Sequence, residues 1–318
     1  MKSFSGASRL GRQLCALLAA TVLLGACGGG GTQIDPFTPT RIISFGDETS
    51  AITNAGQKYT VNGLDPVTNL QSCGVNPNWV QILATTFALA FPQCNPDHLA
   101  TPQGLMYAQA GAHVADFASQ VDRHFTISNM TSKDLVTVLV GQNDVLDLYK
   151  QYPAQSEDSL VAQAKILGVA VADQVNRMAT AGGRVIISTL PDLGVTPYAL
   201  KEQATKFDIN RAQLLTDLSN AFNVAMRLGL INDGRMIGLV LLDESIQTAA
   251  KFPTAFALTN ATDPACLTTV LPQNCTEQTL VATATGNTWL WATDTLMSAI
   301  GQSRLGALAQ TRARNNPF

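Results

Sequence analysis

Histidine is nearly missing from this chain. Of 318 residues only His98, His113 and His124 carry an imidazole, and none lies beyond residue 124. Chemistry that takes an imidazole base or ligand from the C-terminal half is therefore excluded. Charge is sparse as well: charged residues make up 14% of the chain, with 20 basic side chains against 23 acidic ones. That balance argues against a polyanionic partner, so no nucleic-acid partner is expected. Beyond the first two dozen residues no apolar run approaches the roughly 20 residues that cross a bilayer. The six cysteines lack the paired short spacing of a zinc site, and no metal or other cofactor is expected.

What is present begins with the first residues. Lys2, Arg9 and Arg12 precede an apolar stretch from Leu14 to Leu24, followed by small residues, and no acidic residue interrupts them. This is the layout of a secretory signal. The segment Leu24-Gly25-Ala26-Cys27 resembles a bacterial lipobox, which implies cleavage before Cys27, its acylation, and a membrane partner reached through an N-terminal lipid anchor. Gly28 to Gly31 then form a flexible tether. Gly28 after the cysteine, where the resemblance contrasts it with Asp, implies an outer-membrane lipoprotein facing the periplasm or the cell surface. The expected organisation is a signal peptide over 1–26, a lipidated cysteine and linker over 27–40, and one domain over 41–318. Three of the 20 basic residues and none of the 23 acidic ones fall in 1–26. The remaining chain sets 17 against 23, a net charge of −6. With Cys15 in the signal and Cys27 lipidated, Cys73, Cys94, Cys266 and Cys275 remain. An oxidising compartment suggests two disulfides among three connectivities, with near neighbours, Cys73–Cys94 and Cys266–Cys275, the expected pairs.

Four short runs read as strands: Arg41 to Phe45, Leu135 to Val140, Arg184 to Leu190 and Gly238 to Leu242. They are nearly continuous in apolar and β-branched residues, as parallel strands buried on both faces are. Apolar residues at three- and four-residue spacing predict helices over Leu160–Ala181, Ile209–Leu230 and Ala299–Ala313, the first stopped by Gly182-Gly183. Strands alternating with helices imply an α/β domain, a three-layer αβα sandwich with right-handed crossovers. In such a sheet functional groups collect beyond the carboxyl ends of the strands. The segments 46–50, 141–144 and 191–197 fall there.

Those segments carry motifs. Phe45-Gly46-Asp47-Glu48-Thr49-Ser50 follows the first strand, and Met106-Tyr107-Ala108-Gln109-Ala110-Gly111-Ala112 lies downstream. Gly141-Gln142-Asn143-Asp144 follows the second strand, and Trp289-Leu290-Trp291-Ala292-Thr293-Asp294-Thr295-Leu296 opens the last helical region. In this order they resemble the blocks of the GDSL, or SGNH, hydrolases, which run Phe-Gly-Asp-Ser, Asn-Tyr-Ala-x-Gly-Gly-Ala, Gly-x-Asn-Asp and Asp-x-x-His. Leu190-Pro191-Asp192 adds to the likeness. The resemblance implies a mostly parallel flavodoxin-like sheet, esterase chemistry, and an acyl or carbohydrate-ester ligand.

It also implies a serine nucleophile, a histidine base oriented by an aspartate, and an oxyanion hole completed by a glycine N–H and an asparagine amide. Position by position, the nucleophile falls on Glu48, the glycine on Gly111 and the asparagine on Asn143. The acid falls on Thr293 and the base on Leu296; a shift of one residue gives Asp294 and Met297, which restores the acid alone. No catalytic triad is intact in any frame, since no histidine follows residue 124. Two substitutes stand in the vicinity: Ser50 paired with His113, with Ser50 placed in a first helical turn as a cap or solvent-facing residue, and the Asp47–Glu48 carboxylates as a base on water, against which adjacent turn residues usually point apart. Asp47 is assigned to local backbone N–H groups, and Tyr107, Trp289 and Trp291 either line a cleft or pack the core. If the pocket keeps the family shape, the Glu48 carboxylate points at Gly111 and Asn143 and fills the place of an ester oxyanion. The chain is then an esterase frame acting as a binding or accessory module, and the alternative is an ester hydrolase or acyltransferase with non-standard residues.

Overall fold

The computed structural model describes residues 36–315. The expected signal peptide, Cys27 and the glycine tether lie outside them. Five parallel strands form the central sheet: β1 (Arg41–Gly46), β2 (Gly104–Met106), β3 (Asp134–Leu139), β4 (Arg184–Ser188) and β5 (Ile237–Val240), in the order β2-β1-β3-β4-β5. This is the flavodoxin-like order, whose switch point lies between β1 and β3. The chain moves outward from β1 to β2 and then crosses back to β3, so the two loops leaving β1 and β3 diverge and open a crevice.

Alternation along the strands divides the core. Ile43, Phe45, Val136 and Val138 face one layer of helices, whereas Ile42, Leu135 and Leu139 face the other. The first layer holds α2 (Val114–Ile127), α3 (Gln142–Tyr149), α4 (Glu157–Thr180) and α6 (Arg211–Gly229). The second holds α1 (Trp79–Thr86), α7 (Leu242–Lys251) and α8 (Ala299–Asn315). Helix α5 (Pro197–Thr205) caps the loop after β4. Phe45 has no solvent exposure, and burial of such a side chain contributes about 1.5–3 kcal/mol.

The sandwich expected from the sequence is thus the architecture found, with strand and helix limits within a few residues of the expected ones. Strand β2 escaped notice, as did α1, α2, α3, α5 and α7, most of them short. The stretch after Trp289 differs from expectation. Trp289–Trp291 is strand β7, paired in parallel with β6 (Asn260–Pro264), ahead of the last helix, which begins at Ala299 as expected. Ser50 also differs: residues 47–50 form a turn with no helix after it.

Both disulfides join the expected partners, Cys73 to Cys94 and Cys266 to Cys275, with Cα separations of 5.6 and 5.9 Å. The first closes the long excursion between β1 and β2, and the second pins the loop beside β6. Among the described residues no helix is long and apolar enough to cross a membrane.

Candidate active site

Glycine ends β1 for a steric reason. Gly46 has φ +126°, and a Cβ there would lie 1.9 Å from the carbonyl oxygen of Leu139 on β3. Helix α2 grips the same peptide from both sides: the Gly46 N–H donates to Gln120 Oε1 at 2.8 Å, and Gln120 Nε2 donates to the Gly46 carbonyl at 3.0 Å. The chain then turns. The Ser50 N–H meets the Asp47 carbonyl at 3.1 Å, and the Thr49 N–H meets Asp47 Oδ1 at 2.9 Å. Asp47 therefore does hold a local backbone N–H. It is fully buried, and its Oδ2 has no partner among the described residues. Burial, reinforced by the nearby Glu48 charge, pushes its carboxyl well above the usual carboxylate range.

This turn projects Glu48 into the crevice at the switch point. Its Oε2 accepts from the Gly111 N–H at 2.8 Å and from Asn143 Nδ2 at 3.1 Å. Gly111 adopts φ +74° with open space where a Cβ would stand. Asn143, in the first turn of α3, also donates to the Ala112 carbonyl at 3.1 Å. The neighbouring Asp144 accepts from the Val114 N–H at 3.0 Å, which ties α3 to the start of α2. Burial raises the Asp144 pKa. Three positions far apart in sequence, 48, 111 and 143, thus meet around one carboxylate oxygen. Their donors are a backbone N–H and a side-chain amide, a pair suited to negative charge on oxygen.

The remaining positions stand elsewhere. Leu296 and Met297 are buried, and Met297 packs in the core between α1, α8 and the sheet. Thr293 Oγ1 accepts from the Leu296 N–H at 3.1 Å, closing a local turn. Asp294 offers its carbonyl to the Tyr198 N–H at 3.0 Å. Helix α8, which follows this block, does reach the first one: Gln302 Nε2 donates to the Thr49 carbonyl at 3.3 Å and Gln302 Oε1 accepts from the Trp79 N–H.

Ser50 is neither a cap nor exposed. Its side chain is fully buried, and its hydroxyl accepts from Trp79 Nε1 at 3.1 Å. His113 Nε2 is 2.9 Å from Asp147 Oδ2, and this bond raises the imidazole pKa. Ser50 and His113 therefore do not form a pair. His124 is buried with Nδ1 3.2 Å from the Tyr107 hydroxyl, and His98 is exposed. Among the described residues no imidazole hydrogen-bonds to Glu48, Thr49 or Ser50.

The aromatic residues resolve into packing. Trp291 is fully buried, Tyr107 stacks on Phe45 with ring centroids 5.0 Å apart, and Trp289 borders the small cluster around the Cys266–Cys275 disulfide. A cleft of about 240 Å³ does open beside the turn, lined in part by Thr53, Asn54, Tyr59, Gln93 and Gln109. The Glu48 charge helps raise the Tyr59 pKa, after burial. Sequence reasoning missed Tyr59 and Gln93, since nothing in their spacing links them, and gave no role to Gln109 within the second block.

No protein of curated function matches this sequence. Solved structures similar to it include a member of the lipolytic protein G-D-S-L family from Veillonella parvula, at 9% identity over 85% of this chain and 95% of that one, with a TM-score of 0.42. An acetylxylan esterase from Geobacillus stearothermophilus is similar at 13% identity over 87% and 95% of the two chains, TM-score 0.42. An alpha/beta hydrolase from the metagenome of Lake Arreo, Spain, is similar at 14% identity over 88% and 97%, TM-score 0.45. Residues 42–235 match the family of GDSL-like lipases and acylhydrolases, spanning four of the five strands and the whole Glu48–Gly111–Asn143 constellation, and the chain belongs to that family.

Proposed function

We propose that this chain is a catalytically silent member of its family, a ligand-binding or accessory module held at the cell envelope by a lipid on Cys27. The observation that carries the reading is the Glu48 carboxylate on the Gly111 N–H and the Asn143 amide. A serine at this position would leave both donors free for a developing oxyanion, whereas a carboxylate satisfies them permanently. The ligand then meets the cleft beside Glu48. There Tyr59, Asn54 and Gln109 present a phenol and two amides, and the buried Gln93 Oε1 lacks a partner among the described residues. Those groups suit a neutral, oxygen-rich ligand such as an acyl or carbohydrate ester.

The test is hydrolysis of p-nitrophenyl acetate by the purified protein and by Glu48→Ser. Both run at the rate of buffer alone if the reading is right, and rapid turnover by the single variant refutes it. Thermal shift against acetylated oligosaccharides, lipids and peptidoglycan fragments then sorts the ligand class.

A second reading, ester hydrolysis or acyl transfer with non-standard residues, is favoured by one observation. His113 stands two residues beyond Gly111 with its ring oriented by Asp147, the arrangement a general base requires. Turnover by the unmodified protein that disappears in both Asn143→Ala and His113→Ala would establish it.

A further inference from the structure

From Phe252 to Ser303 the chain holds three carboxylates, Asp263, Glu277 and Asp294, and no lysine, arginine or histidine. Charge of one sign over so long a stretch leaves a negative potential that the segment itself cannot cancel. Two of the three carboxylates are engaged locally. Asp263 Oδ2 accepts from Asn260 Nδ2 at 2.8 Å, and Glu277 Oε1 accepts from the Gly286 N–H at 3.3 Å. Asp294 differs. Its backbone carbonyl meets the Tyr198 N–H, while its carboxylate has neither a hydrogen bond nor an ion pair among the described residues. Lys201, one turn beyond Tyr198 on α5, forms no ion pair with it.

Asp294 lines a cavity of about 320 Å³ and is the single charged residue in that lining. Most of the wall is the loop 267–272, which the Cys266–Cys275 disulfide closes. Turns stiffen that loop: the Val270 N–H donates to the Leu267 carbonyl at 3.0 Å, and the Asn274 N–H to the Leu271 carbonyl at 2.8 Å. The wall is therefore formed before any ligand arrives, which lowers the cost of binding. Leu267 and Leu271 give it apolar surface, at 41% and 60% exposure. Thr268 and Thr269 add hydroxyls that make no hydrogen bond among the described residues. The lining shares no residue with the cleft beside Glu48, and all of it lies outside residues 42–235 that match the family.

We propose that this cavity binds a small ligand bearing a primary ammonium on a short alkyl chain. The ammonium donates to the Asp294 carboxylate and to the threonine hydroxyls, and the methylenes lie along Leu267 and Leu271. A hydrogen bond between two charged groups is roughly twice as strong as a neutral one, and no cation of the chain competes for this carboxylate. A calcium ion fits less well, because it takes about six to eight oxygen ligands and the lining offers one carboxylate. An anion finds no positive partner in the lining. The site stands apart from the ester-binding reading and does not depend on it.

The experiment titrates the full chain with hexylamine by calorimetry at fixed ionic strength, beside hexan-1-ol, hexanoate and hexyltrimethylammonium. Hexylamine binds saturably at one site. The alcohol, the carboxylate and the quaternary amine, which cannot donate, each bind about tenfold more weakly or less. Asp294→Asn keeps the size of the side chain and lowers the affinity for hexylamine by about tenfold or more. Leu271→Lys sets an amine of the chain itself beside the cavity and weakens hexylamine binding as much. Leu271 is exposed, so this variant keeps its melting temperature and decides the matter alone should Asp294→Asn melt early. Absence of saturable binding, equal binding of the alcohol or the quaternary amine, or full affinity in the folded variants overturns the proposal. So does displacement of hexylamine by an equal concentration of calcium chloride, which would assign the cavity to a metal.

Discussion

Asn143 holds its side-chain amide 3.1 Å from Glu48 Oε2, the same oxygen that the Gly111 N–H meets at 2.8 Å. Two donors converging on one carboxylate oxygen make a small anion site in which the anion is covalently tethered. Removing the tether while keeping the donors leaves a cradle for a free carboxylate. Glu48→Gly should lose about 1–3 kcal/mol, the usual cost of leaving such donors without an acceptor. Acetate should restore part of the melting temperature in a saturable way. The same addition to Glu48→Gly/Asn143→Ala should do nothing. An acetate effect of equal size in both variants would show that the donors are not what holds Glu48.

Asp47 gives the chain a pH dependence of unusual sign. Its folded pKa lies above the unfolded value because burial disfavours the anion and Glu48 adds repulsion. Between the two values the unfolded chain binds fewer protons, so stability is full below the unfolded pKa, about 3.9, and declines as pH rises toward the folded one. Asp47→Asn keeps an acceptor for the Thr49 N–H and has nothing to ionise. The variant should gain stability relative to the unmodified protein as pH climbs from 4 to 7, measured by urea midpoints at each pH. A constant difference across that range would mean that Asp47 is ionised when folded.

How much of this was legible in sequence depends on range. Runs such as Leu135 to Val140 declare buried parallel strands because both faces are apolar, and the order of the four blocks placed Glu48, Gly111 and Asn143 in one crevice. The three-residue strand β2 had too few residues to show any period. Ser50 was misplaced because its environment comes from Trp79, 29 residues away, whose indole N–H consumes the hydroxyl. The last block misled differently. It was placed at the opening of the last helical region with no strand expected, yet Trp289–Trp291 is a strand stabilised by pairing with β6, a contact with no local signal.

Ser50 follows as a stability residue. With the side chain fully buried and the Trp79 Nε1–H donating to it at 3.1 Å, Ser50→Ala leaves the indole N–H without an acceptor. The expected loss is about 1–3 kcal/mol in chemical denaturation, with no change in any ester-cleavage rate. Loss of a measurable esterase activity in Ser50→Ala, without loss of stability, would return Ser50 to the chemistry.

The proposed lipid anchor rests on Cys27 and the segment before it, and it has a direct assay. In cells grown with an alkyne-labelled fatty acid, the full chain should acquire label and remain with membranes after high-salt washing. Cys27→Ser should remain unlabelled and lose its membrane association, since stable attachment needs the acyl chains themselves. Label retained by Cys27→Ser would place the modification elsewhere.

His113 and Asp147 form the second titrating pair near the site, and their sign differs from that of a buried acid. The hydrogen bond to Asp147, 2.9 Å long, raises the imidazole pKa, and the charges of Asp144, Asp147 and Asp116 act in the same direction against some loss from burial. A histidine with a raised folded pKa adds stability that is complete below the unfolded value, about 6.5, and is lost as pH rises through the folded one. The pair is partly exposed, so the effect is small and falls with salt. His113→Gln should therefore melt below the unmodified protein at pH 5.5, and the gap should narrow by pH 8.5. In an Asp147→Asn background the pH dependence of that gap should shrink, because the main partner holding the proton is gone. If the gap instead widens toward pH 8.5, the ring is neutral when folded. A neutral imidazole at that place is the form able to accept a proton, so the result would favour the hydrolase reading over the silent one.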